Sequence, residues 1–220
     1  MTSTGYVQLL DLACGALLAS AVLIVWRRRL AAIIRAFAVQ GAALAAIAAV
    51  LAIHSRDARL GAVAAWVFVL RAGVLPWLLS RALAGPGASE RETRPLVNVT
   101  ASLLAVAALT LLAYAVSRPL TALSPSPAAD AIPVGVAVTL TGFFVLVTRR
   151  RAVSQLAGFL LMDNGITATG VLTGADAGLL VEFGVSLDVL LAVVVLRVLA
   201  GRMRDAFGDT DLDDLRELRD

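Results

Sequence analysis

Apolar residues run along this chain in long blocks, each closed by arginine, glycine or proline. The blocks match the ~20 residues an α-helix needs to cross about 30 Å of hydrocarbon. Seven spans are predicted, at 7–26, 31–53, 60–83, 96–116, 132–147, 153–173 and 179–200. Pro133, at the start of the fifth and shortest, suits a helix N-terminus. The longest polar connections are AGPGASERETRP at 84–95 and the Pro/Ser-rich SRPLTALSPSPAADA at 117–131. The expected fold is all-α: a polytopic membrane protein with about seven transmembrane helices.

Charge sets the expected orientation. Arg27, Arg28, Arg29 and Arg35 follow the first span, Arg81, Arg91 and Arg94 the third, and Arg149, Arg150 and Arg151 the fifth. Arg202, Arg204, Arg216 and Arg219 follow the seventh, whereas the alternate connections carry only Arg56, Arg59 and Arg118. Basic loops stay in the cytoplasm, so the N-terminus is expected outside and the C-terminus inside. Trp26 and Trp77 are expected at the membrane interface.

Composition agrees: 60% of residues are hydrophobic, 16% are charged, and the mean hydropathy is +0.88. All 19 basic residues are arginine. The net charge of +3 belongs to these topology signals, so no nucleic-acid partner is expected; the partner is the lipid bilayer. One cysteine (Cys14) and one histidine (His54) exclude a Cys/His metal centre and a Cys–His nucleophilic pair. No cofactor, metal or catalytic residue is expected in this chain.

The informative residues are ionisable ones inside spans. Asp163 falls at the middle of span six, Asp188 at the middle of span seven, Arg71 near the middle of span three, and Glu182 about a turn inside the outer end of span seven. A central charge costs about 2.5–3.5 kcal/mol on insertion scales and usually faces a partner or water. Spans six and seven are antiparallel neighbours, so Asp163 and Asp188 can share a depth. Desolvation opposes ionisation of such carboxylates, which suits groups that take and release protons. Arg71 can instead hold either one in a permanent ion pair. Glu182 either gates the outer side or snorkels to the surface. Asn164, Thr167, Thr169 and Gln40 are expected to hydrogen-bond between helices, and Pro76 is expected to kink span three.

Two three-helix groups, 1–95 and 132–204, are joined by a linking helix and external loop at 96–131 and followed by a cytoplasmic tail at 205–220. Arg27–Arg29 precede Phe37 by the interval at which Arg149–Arg151 precede Phe159, an alignment that pairs Gly41 with Asp163. In the tail, FGDTDLDDLRELRD places Leu212, Leu215 and Leu218 on one stripe, as in a short capped surface helix.

QLAGFLLMDNGITATGVL, LVEFGVSLDVLLAVVVLRVLAGRM and the tail together resemble component E of hydrogenase-4 and formate hydrogenlyase-type complexes. FAVQ at 37–40 and LRAGVLPWLL at 70–79 add to the resemblance. That family is similar to the K subunit of respiratory complex I and the C subunit of Mrp-type antiporters, small three-helix subunits with intramembrane carboxylates. By this resemblance Asp188 matches the third-helix carboxylate, and Asp163 falls near the second-helix one. Asp163 stands where the family motif has the longer Glu, and Arg71 stays charged where a lysine could release its proton.

The resemblance implies a multi-pass subunit of the bacterial inner membrane. It would belong to a group 4 NiFe hydrogenase or complex I-like assembly, beside antiporter-like and hydrogenase-type subunits. Asp188, Asp163, Glu182 and Arg71 are its proton-relay candidates. Two other readings stay open: a purely structural adaptor, and a stand-alone ion carrier.

Overall fold

The structure, a computed structural model, describes residues 3–27, 29–82, 98–123, 125–149 and 152–174. Among these residues it is all-helical. Helix α1 spans Ser3–Trp26 and α2 Leu30–Ser55. The next rod is continuous but irregular: α3 (Ala58–Val67) passes through a π-helical stretch, Phe68–Val74, into α4 (Leu75–Ala82). Helices α5 (Val99–Leu123), α6 (Pro127–Thr148) and α7 (Ala152–Leu172) follow.

Five rods are long and apolar enough to cross a membrane: α1, α2, α3 through α4, α5 and α6. The chain is a multi-pass membrane protein. Helix α7 has 21 residues but carries Gln155, Asp163, Asn164 and two threonines, which lower its hydropathy. The predicted seventh span at 179–200, with Glu182, Asp188 and the tail, lies outside the described residues.

Two helix boundaries differ from the sequence reading. Helix α5 continues through Pro119 to Leu123, and α6 begins at Pro127. The expected external loop at 117–131 is therefore mostly helix, and Pro133 lies inside α6 rather than at its start. Ser126 caps α6, its side chain accepting from the Ala129 N–H at 3.1 Å, and Pro127 fills the first turn, where a missing N–H costs nothing. Asn98, part of an Asn-x-Thr triplet, caps α5 by accepting from the Ala101 N–H at 2.7 Å.

Helices α2 and α6 form the centre. Helix α2 packs against α1, α3, the π-helical stretch and α7, while α6 packs against α1, α5 and α7. The α1–α6 contact is fastened where both helices end: Arg149 Nη2 donates to the Val25 carbonyl at 3.1 Å. This guanidinium is buried and satisfies a carbonyl in the last turn of α1, which has no intrahelical donor. At the same end Arg27 lies over Trp26 and Arg81 over Trp77, at 5.1 and 5.8 Å from the ring centroids. Both tryptophans are exposed, as interfacial anchors are. At the opposite end Tyr6 stacks on His54, with centroids 3.9 Å apart.

Small residues set the closest approach. Helices α6 and α7 run antiparallel, and Gly142 meets the backbone of Met162 and Gly158 so tightly that no side chain fits. One heptad away, Gly135 and Gly165 meet Thr169 and Thr139 in the same way. In hydrocarbon this contact is a main source of helix association. Gly142→Leu is expected to destabilise the detergent-purified protein by about 1–3 kcal/mol through overpacking. Gly15→Leu, on an open face, should leave the thermal unfolding midpoint nearly unchanged.

Candidate functional site

Four buried polar side chains meet in the interior, supplied by three rods. Gln40 comes from α2, Arg71 from the π-helical stretch, and Asp163 with Asn164 from α7. Their fractional exposures are 0%, 4%, 3% and 4%. Counted along their helices from the arginine-bearing end, all four lie roughly 15–18 Å deep. That is the middle of a bilayer about 30 Å thick.

The hydrogen bonds form a chain. Arg71 Nη1 donates to Asp163 Oδ2 at 2.7 Å and to Asn164 Oδ1 at 2.5 Å. Asn164 Nδ2 then donates to Gln40 Oε1 at 2.9 Å. Two of the buried polar atoms, Asp163 Oδ1 and Gln40 Nε2, have no hydrogen-bond partner. The cluster thus has one open acceptor and one open donor at its edges. Of the expected partnerships for Arg71, the one with Asp163 is formed.

Backbone geometry aims Arg71 into this cluster. Pro76 has no N–H, so the carbonyl a turn before it loses its regular donor. The irregularity expected at Pro76 takes the form of i→i+5 pairing, with the Leu75 N–H bonded to the Leu70 carbonyl. Such a bulge re-aims the side chains within it. Helix α2 reaches the bulge through Gly41. A methyl there would lie 2.5 Å from the Arg71 carbonyl carbon and 2.8 Å from the Ala72 nitrogen. Gly41 thereby brings its neighbour Gln40 to Asn164.

Asn164 bridges three rods, as expected, and Gln40 receives it. The threonines do not. Thr167 Oγ1 donates to the Asp163 carbonyl and Thr169 Oγ1 to the Gly165 carbonyl, both at 2.9 Å within α7. A threonine hydroxyl reaches its own carbonyl four residues back at little cost, so it does not need a neighbouring helix. Glu182 and Asp188 lie outside the described residues. Among the described residues, no group of three His, Cys, Asp or Glu side chains comes together to hold a metal ion.

One ionisable residue escaped the sequence reading. Asp11 lies on α1, roughly 12 Å along the helix from Ser3, and its side chain is exposed on the outer surface of the bundle. It falls near the start of the first predicted span at 7–26, and α1, which begins four residues earlier at Ser3, sets it deeper than that span implied.

No family model and no solved structure matches the chain. Over its full length it is 53% identical to the uncharacterized protein Rv0085 of Mycobacterium tuberculosis, whose full length is also covered. The chain belongs to the Rv0085 family. It is also 32% identical over 89 residues to hydrogenase-4 component E of Escherichia coli K12, a match covering 40% of this chain and 41% of that protein. Hydrogenase-4 component E of Shigella flexneri matches to the same extent.

The cluster yields a stability prediction for this member of the Rv0085 family. Arg71→Met leaves a buried carboxylate uncompensated and should cost about 3–5 kcal/mol. Removing both charges, in Arg71→Met with Asp163→Leu, should cost less than Arg71→Met alone. Thermal unfolding of the detergent-purified variants checks the order; a double variant no more stable than the single one contradicts it.

Proposed function

We propose that this chain is a non-redox membrane subunit of a hydrogenase-4-type or complex I-like assembly in the bacterial inner membrane. Its intramembrane carboxylates take part in coupled proton or sodium movement. The observation that carries this reading is the mid-membrane cluster of Arg71, Asp163, Asn164 and Gln40, with an open acceptor on Asp163. A carboxylate with one oxygen held by a guanidinium and the other unpartnered is a group on which a proton can arrive and leave. Arg71 sets the bias of that exchange, because its own charge is permanent.

Asp163 is the relay group inside the described residues. Asp188 is proposed as a second relay group and Glu182 as a gate toward the outer side. The similarity to hydrogenase-4 component E supports membership of an assembly with antiporter-like and hydrogenase-type subunits, which would hold the redox centres. Asp11 supports it independently. An exposed carboxylate at hydrocarbon depth carries an insertion cost, which a membrane helix of another subunit, offering a hydrogen-bond donor or cation, would relieve.

The division into units 1–95 and 132–204, with 96–131 between them and a tail at 205–220, belongs to the same reading. In it, α2 and α7 are the second helices of two similar units, and Gln40 and Asn164 meet between them. The proposed orientation places the N-terminus outside and the arginine-bearing end in the cytoplasm.

The second reading is a structural adaptor. It is favoured by the same geometry, since a matched ion pair tying three rods together also locks them.

Purification in mild detergent from the native membrane should bring a nickel-containing subunit and an antiporter-like subunit with this chain. In the intact complex, Asp188→Asn should leave assembly normal and lower proton pumping at least about tenfold. Unchanged pumping contradicts the relay, and failure to assemble favours the adaptor. A C-terminal green fluorescent protein fusion should fluoresce and an alkaline phosphatase fusion at the same point should be inactive; the reverse pattern overturns the orientation.

A further inference from the structure

A second polar arrangement lies apart from the cluster, where α5 ends and α6 begins. A cleft of about 380 Å³ opens there between the two helices, large enough for a small ligand or headgroup. It is lined by Leu111, Tyr114, Arg118 and Thr121 from α5, and by Asp130 and Pro133 from α6. The charged pair is unusual. Arg118 and Asp130 flank one cleft, both exposed, yet the only ion pair among the described residues is Arg71–Asp163. The hydroxyl of Thr121 donates to the Arg118 carbonyl at 3.0 Å.

The cleft sits at a defined level. Helix α5 has 25 residues, or about 37 Å, so it spans the hydrocarbon with a little to spare at each end. Arg118 lies roughly 8 Å from its Leu123 end, and Leu111 roughly 18 Å. The charged part therefore faces the headgroup layer, within reach of a snorkelling arginine, and the apolar part faces acyl chains. Below the charges, Leu104, Ala107, Ala108, Leu111 and Ala115 are exposed along one side of α5, with alanines forming a shallow floor between the leucines. Tyr114, half-exposed between the two levels, has the amphipathic ring typical of this depth.

We propose that this cleft binds a glycerophospholipid whose headgroup is zwitterionic and ends in a primary ammonium. The phosphate is held by Arg118, the ammonium by Asp130, the glycerol region by Tyr114, and one acyl chain lies along Leu111 and Leu104. A net-neutral pair of opposite charges on either side of one cleft matches a zwitterion better than an anionic headgroup, which Asp130 repels. A primary ammonium donates hydrogen bonds to a carboxylate, whereas a trimethylated one has none to give.

The test uses the full-length, delipidated protein in detergent, titrated with phosphatidylethanolamine, phosphatidylcholine or phosphatidylglycerol and read by native mass spectrometry. Phosphatidylethanolamine should bind about tenfold more tightly than the other two. Asp130→Asn should erase that preference, and Arg118→Gln should weaken all three lipids. Both side chains are exposed, so unfolding midpoints should match the parent. Soluble phosphoethanolamine should compete poorly, because the acyl contacts are missing. Equal binding of the three lipids, or an Asp130→Asn variant that keeps the preference, overturns the proposal and leaves Arg118 and Asp130 as partners of each other. Equally strong binding of soluble phosphoethanolamine overturns the lipid as the source of the headgroup.

Discussion

A guanidinium and a carboxylate buried at mid-membrane constrain everything around them. Neither charge is tolerated alone in hydrocarbon, so Arg71 and Asp163 must meet whenever the bundle forms. They come from rods far apart in sequence, and their contact at 2.7 Å requires α7 to dock against the π-helical stretch in one register. A sliding helix would separate the charges. Asn164 and Gln40 extend the same constraint to α2, so three rods share one depth reference near the centre of the bilayer.

That meeting needs backbones that approach closely. Gly41 lets α2 touch the π-helical stretch directly, and Gly142 and Gly158 do the same for α6 and α7. Between helices in lipid the hydrophobic effect contributes little, since tails are as apolar as leucine. Close contact of small residues and interhelical hydrogen bonds take its place. The chain uses both devices on α7: Gly158 and Gly165 fix its distance from α6, while Asp163 and Asn164 fix its register against α2 and the bulge. Arg149 adds a third fastening by capping α1 from the end of α6.

Much of this was legible beforehand, and the failures have physical causes. The apolar blocks located α1, α2, the rod containing α3 and α4, and α7 to within a few residues, because a 20-residue run of apolar side chains has few other stable solutions. The segment at 117–131 misled because proline and serine read as loop. In a membrane helix proline is tolerated, and here Pro119 and Pro133 both sit inside helices. Asp11 was hidden by its nearness to the start of an apolar block. Thr167 and Thr169 were read as interhelical donors, whereas each bonds to its own helix.

The candidate site divides along the same line. Residue type alone singled out Arg71, Asp163, Asn164 and Gln40, because ionisable and amide groups are rare and costly within apolar runs. Pro76 alone announced an irregular turn near Arg71. Which partner Arg71 holds, that Asn164 joins it to Gln40, and that Gly41 rather than a larger residue makes the approach possible were decided by tertiary structure. Period and composition describe one helix at a time. A hydrogen bond across 93 or 124 positions depends on how helices rotate and slide against one another, and no single segment encodes that.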